Sequence, residues 1–148
     1  MKTIHTEQGI DAPAATVWAL VRDLEGWERW NPIMKGSGLV EPGARPRITI
    51  APPGRKPIDV RPKITHFVAG QEFRWRTGFP VAGLFRAEHG FRVVPESEGR
   101  CRFEQFEVMS GLLSGMIYAR SGREIETGFQ AMNRMLKREA ERRARERD

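Results

Sequence analysis

The sequence predicts an α+β domain: one antiparallel sheet with its helices segregated at the two ends of the chain. Two observations carry this. Between Gly36 and about Ser110 the chain runs as short β-rich stretches punctuated by Gly and Pro, with no helical period. On either side the apolar residues return at helical spacing: Val17, Leu20, Val21 and Leu24 before it, Ile125, Phe129, Met132 and Leu136 after it. At 148 residues there is room for one core, and no repeat or linker divides the chain, so residues 1–148 are expected to form a single domain.

The elements follow in order. Residues 3–11 alternate loosely and read as a first strand. Asp11-Ala12-Pro13 starts a helix, since proline is tolerated in a first turn and Asp11 or Ala12 can cap it. Gly26 and Pro32 bracket Trp27 to Asn31, a second short helix or turn carrying two tryptophans. Six β runs come next, at 37–41, 45–51, 57–68, 71–78, 84–95 and 100–110. The turn signals between them are Glu41-Pro-Gly43, Pro52-Pro-Gly54, Ala69-Gly70, Gly78-Phe-Pro80 and Pro95 to Gly99. Short connections imply an antiparallel meander, and with the first strand the count is seven. A long helix then starts between Gly115 and Gly122 and runs past residue 140, with Met135 and Ala140 extending its stripe. The segment from Gly111 to Tyr118 is apolar for a loop and fits either the first turn of that helix or a mobile lid.

Composition narrows the function classes. The single cysteine, Cys101, excludes an intramolecular disulfide. Met1 to Ile10 contains no apolar signal-like stretch, and no later stretch approaches the ~20 apolar residues of a membrane span. A cytoplasmic location is the expectation. The net charge of +6 raises the question of an acidic partner, yet much of the excess lies in a tail at about 138–148. There Arg138, Arg142, Arg143, Arg145 and Arg147 alternate with Glu139, Glu141, Glu146 and Asp148, which reads as a solvated helix face. No aromatics interleave with these charges, so no nucleic-acid partner is expected. His5, His66 and His89 lack ligand spacing, and no GxGxxG, P-loop or nucleophile elbow is present, so neither metal nor cofactor is expected.

Three stretches carry a family likeness. Ile10-Asp-Ala-Pro13 with Val17-Trp18-Ala-Leu20-Val21-Arg-Asp23 and Trp27-Glu-Arg-Trp30-Asn31-Pro32 resembles the opening of the START/Bet v 1-like (SRPBCC) superfamily, in its polyketide cyclase/dehydrase-like branch. Phe73-Arg-Trp75, His89-Gly-Phe91-Arg-Val93 with Pro95, and Arg102 to Gly111 resemble later strands of the same branch. The resemblance implies the helix-grip fold, a seven-stranded sheet curved around the C-terminal helix with two short helices after the first strand and a ligand cavity between sheet and helix.

Alternation on 84–95 puts Phe85, Ala87, His89, Phe91 and Val93 on one face. On 100–110 it separates Cys101, Phe103, Gln105, Glu107 and Met109 from Arg102, Glu104, Phe106 and Val108, without choosing between them. The resemblance turns the first set inward, which gathers His89, Gln105 and Glu107 at one polar corner. The expected walls are Trp27, Trp30, Phe73, Trp75, Phe79, Phe85, Phe91, Phe103, Met109, Phe129 and Met132, with Met135 near them. Singly, each is as well read as core. Together they suit a small hydrophobic ligand: a lipid, aromatic or polyketide-like molecule. Two alternatives stand beside binding. One is a cyclase or dehydratase with His89 and Glu107 as acid and base; the other is an interaction module that uses the basic tail. A lone inward histidine bonded to Gln105 or Glu107 is also an ordinary packing device.

Overall fold

The computed structural model describes residues 1–52 and 54–147. A five-stranded antiparallel sheet has the order β1-β8-β7-β6-β5, and a three-stranded sheet has the order β2-β3-β4. In chain order the strands are β1 (Lys2–Ile10), β2 (Met34–Ser37), β3 (Arg47–Ile50), β4 (Ile58–Val60), β5 (Lys63–Val68), β6 (Glu72–Gly78), β7 (Arg86–Ser97) and β8 (Arg100–Ser110). Helix α1 spans Ala14–Arg22, a 3₁₀ turn follows at Glu25–Arg29, and helix α2 spans Ser114–Glu146.

The α+β architecture and the long helix agree with the sequence, but there are eight strands in two sheets where it predicts seven in one. The run at 57–68 breaks at Arg61-Pro62, because proline has no N–H to continue a ladder. The two sheets stay joined there by hydrogen bonds from Gly43 N to the Ile64 carbonyl and from Ile64 N to the Ala44 carbonyl. The second strand lies at 34–37, not 37–41, since Gly38 turns the chain with φ at +106°. β7 continues through Pro95 to Ser97 because the register shifts between those residues, a bulge that accommodates the missing donor.

Pro13, rather than Asp11 or Ala12, holds the N-cap position of α1, where its carbonyl accepts from Thr16 N and Val17 N, and the helix buries Val17, Leu20 and Val21, with Leu24 just beyond it. At ~1.5 Å per residue α2 is about 50 Å long, and it lies along β1 and β8 and against α1. Ser114 already belongs to this helix, so residues 114–118 form its first turn, while Leu112, Met116 and Tyr118 stay exposed. Gly111 makes the junction possible: its φ is +101°, and a Cβ there would lie 2.8 Å from the Leu84 carbonyl group.

The apolar interior is divided. The main cluster joins α1, the 3₁₀ turn, both sheets and the distal part of α2, and includes Trp27, Phe73, Trp75, Phe91, Phe103, Met132 and Leu136. A second, smaller cluster contains Ile4, Met109 and Phe129, with half-buried Phe85, Ile117 and Ile125 against it. On the opposite face of the sheet, Phe106 lies over Gly90 between the guanidinium groups of Arg74 and Arg92. Glu72 and Glu104 tie those arginines together: Arg92 donates to Glu72 at 2.8 Å and to Glu104 at 3.0 Å, and Arg74 also pairs with Glu72. Among the described residues no helix is long and apolar enough to cross a membrane.

Candidate functional site: a polar corner between two apolar clusters

β7 and β8 pair so that His89 stands opposite Glu107 and Phe91 opposite Gln105. Strand alternation turns His89 and Gln105 toward α2, as expected from the inward set. His89, however, bonds to Gln105 rather than to Glu107, at 2.9 Å.

The bond belongs to a closed network. The Thr6 hydroxyl donates to the Gln105 main-chain carbonyl at 2.8 Å, so its oxygen is left to accept from Asn133 Nδ2 at 2.9 Å. Asn133 Oδ1 therefore faces Gln105 and accepts from its Nε2 at 2.8 Å. Gln105 Oε1 is then the acceptor, and His89 must carry its proton on Nε2. Thr6, Gln105 and Asn133 are buried, and the network joins β1, β7, β8 and α2. Thr6 and Asn133 are absent from the sequence-based candidates. A lone Asn beside Met132 on an apolar stripe gives no periodic signal; only its inward position would have marked it.

His89 sits among aromatic rings. Its centroid is 4.3 Å from Phe91, 4.6 Å from Phe129 and 5.2 Å from Trp75. Burial in this cage lowers its pKa from 6.5 to about 4, against the opposing effect of the Gln105 bond, so the ring is neutral near pH 7. Glu107 is half-buried, and burial raises its pKa from 4.5 to about 7. It forms no ion pair among the described residues. Two titratable groups thus face each other across one strand pair, with a neutral donor on one side and a carboxyl near half-protonation on the other.

The expected wall residues separate into three sets. Trp27, Trp30, Phe73, Trp75, Phe91, Phe103 and Met132 are buried in the main cluster, where Trp27 touches Trp30, Trp75 and Phe91, and Phe73 stacks on Phe91 at 4.8 Å. Met109 and Phe129 belong to the second cluster, and Met135 packs from the edge of the main one. Phe79 and Phe85 line an open cleft of about 900 Å³. The cleft lies at the end of the five-stranded sheet, bounded by the loop between β6 and β7, the β4–β5 break and Ser110-Gly111. Trp30 Nε1 and Asn31 Nδ2 are buried without a hydrogen-bond partner among the described residues.

Outside this region, His5, Glu7 and Glu104 hold their ligand atoms within 4.8 Å of one another. Glu104 is already bonded to His5, Arg92 and Arg102 there. The basic tail is partly self-neutralised: Lys137 pairs with Glu141, Arg142 with Glu139 and Glu146, and Arg143 with Glu139.

The fold recurs in solved structures. The aromatase/cyclase Zhui from Streptomyces sp. R1128 superposes with a TM-score of 0.70 at 17% identity, over 96% of this chain and 94% of that one. A hypothetical protein of Helicobacter pylori gives 0.70 at 16% identity, over 94% of this chain and 88% of that one. The di-domain aromatase/cyclase BexL of the BE-7585A biosynthetic pathway gives 0.67 at 17% identity, over 92% of this chain and 46% of that one. At these identities the likeness is one of fold. No protein of curated function matches the chain in sequence. A family model described as polyketide cyclase / dehydrase and lipid transport matches residues 1–145, and the chain belongs to that family.

Proposed function

We propose that the protein works as one intracellular ligand-binding domain that takes a small hydrophobic molecule, lipid, aromatic or polyketide-like, between its sheet and α2, entered through the cleft at the end of the sheet. The observation that carries this is the second apolar cluster. It stands apart from the main core, three of its members are only half-buried, and one of those, Phe85, also lines the cleft. Half-exposed aromatic and aliphatic side chains beside a cleft offer a guest about 25 cal/mol for each Å² of apolar surface it covers. In this reading Phe79 and Phe85 form the mouth, Met109 and Phe129 the walls, and His89, Gln105 and Glu107 the polar end. The buried aromatics from Trp27 to Phe103 act as a rigid floor, holding those groups in place without needing to touch the ligand.

Native mass spectrometry of the protein purified from its own host tests the reading. A co-purifying apolar molecule, lost from Phe85→Asp, is the expected result. A bare protein that also fails to take up Nile red would overturn it.

The position of Glu107 favours a second reading, cyclase or dehydratase chemistry. A carboxyl near pH 7, without a cation to hold it ionised, suits proton transfer at neutral pH, and the neutral His89 Nε2–H is positioned by Gln105. In that case Glu107→Gln retains binding of a poly-β-carbonyl substrate and loses its turnover. Unchanged turnover in that variant would remove Glu107 from the chemistry.

A further inference from the structure

The cleft is as notable for its charge as for its shape. Arg45, Arg61, Lys63, Arg76 and Arg86 all line it, and no aspartate or glutamate does. Among the described residues, none of the five forms an ion pair. Several carboxylates are committed elsewhere: Glu72 and Glu104 to Arg74, Arg92 and Arg102 further along the sheet, Glu139, Glu141 and Glu146 to the tail. Lys63 and Arg76 stand directly opposite each other across β5 and β6, an arrangement of like charges that costs stability unless something neutralises it. Glu88, the other register neighbour of Arg76, is bonded to Arg74.

The same cleft has an apolar rim. Phe79 and Val81, in the loop between β6 and β7, are 47% and 61% exposed. Leu112, 83% exposed, is tied to that loop by its N–H bond to the Gly83 carbonyl.

We propose that the cleft binds a phosphate-bearing amphiphile: the multiply charged head rests on these five cations and the chain runs past Phe79 and Phe85 toward the second apolar cluster. Four guanidinium groups suit a phosphate, whose oxygens accept paired N–H bonds, and five cations without an ion-pair partner exceed what one carboxylate would neutralise. The inference rests on the proposed hydrophobic-ligand function, and it adds the chemistry of the head.

Calorimetric titration with octyl phosphate, 1-octanol, octanoate and inorganic phosphate tests it. Octyl phosphate is expected to bind about tenfold or more tightly than 1-octanol, as one or more charge-assisted hydrogen bonds would supply. That advantage should shrink as salt rises. It should vanish in the triple variant R61Q/R76Q/R86Q and persist in a tail variant of equal charge, R138Q/R145Q/R147Q. Should the triple variant melt early, the exposed single changes Arg61→Gln and Arg86→Gln give graded losses instead. Equal binding of octyl phosphate and 1-octanol, or an advantage that survives the triple variant, would overturn the phosphate proposal and leave the hydrophobic site standing. Inorganic phosphate binding as tightly as octyl phosphate would overturn the amphiphile and leave a free-anion site. An oligothymidylate that outcompetes octyl phosphate would overturn it in favour of nucleic acid.

Discussion

Replacing Glu107 by Gln should stabilise the protein at alkaline pH and leave it unchanged in acid. Glu107 has a carboxyl that burial raises from 4.5 to about 7, and no cation offsets the loss of solvent. Below pH 4.5 the carboxyl is protonated in both folded and unfolded chains, so it makes no pH-dependent contribution. Between 4.5 and 7 the unfolded chain ionises first and stability falls as pH rises; above 7 the full penalty is present. That gap corresponds to about 3 kcal/mol, an upper bound because water reaches part of a half-buried side chain. Gln keeps the shape and cannot ionise. The variant should therefore match the wild type at about pH 4 and exceed it by up to about 3 kcal/mol at about pH 8. His89 imposes the opposite slope, since the unfolded chain takes up a proton below 6.5 and the buried ring only at about 4. Both proteins carry that slope, so it cancels in their difference. Urea unfolding followed by tryptophan fluorescence measures the effect. A stabilisation of the same size at both pH values would refute the argument, because it would not come from ionisation.

Two further outcomes follow from the packing. Asn133→Leu strips Gln105 Nε2 and the Thr6 hydroxyl of a buried partner and should cost about 2–3 kcal/mol, read by the same unfolding assay. It should also release the His89 tautomer, which nitrogen-detected NMR sees as Nε2–H alone in the wild type. Gly90→Ala would place a Cβ 2.1 Å from the Phe106 ring, forcing that ring out from between Arg74 and Arg92. A loss of about 1–3 kcal/mol is expected, smaller when Phe106 is first reduced to Leu.

Much of the fold was legible because period and burial coincide. Val17, Leu20 and Val21 repeat at helical spacing, and that face is buried; on β7 buried Ala87, His89, Phe91 and Val93 alternate with the less buried Glu88, Arg92 and Val94. The sheet division was harder to read, since Arg61-Pro62 breaks a run whose flanking residues still favour strand. At the site, His89, Gln105 and Glu107 were brought together by pairing register, but which of them bond depends on side-chain directions that alternation does not give. Asn133 was invisible for the same reason. Charge was the least legible feature. The tail shows its arginines and glutamates in one run, and helical spacing pairs Arg142 and Arg143 with Glu139. The cleft gathers cations from five scattered positions, and only the folded topology brings them together.

The network through Thr6, Gln105 and Asn133 has a consequence for how the chain reaches its final state. Among the described residues β1 pairs only with β8, and Asn133 reaches Thr6 across 127 positions in sequence. During synthesis β1 therefore emerges without a neighbour and waits until β8 and the Asn133 turn of α2 have followed. Such long-range closure makes assembly slow and leaves an early edge open to misplaced partners. A chain halted before Asn133 would lack the side chain that seals the corner, so a truncation within α2 before that residue would leave Thr6 and Gln105 without their partner.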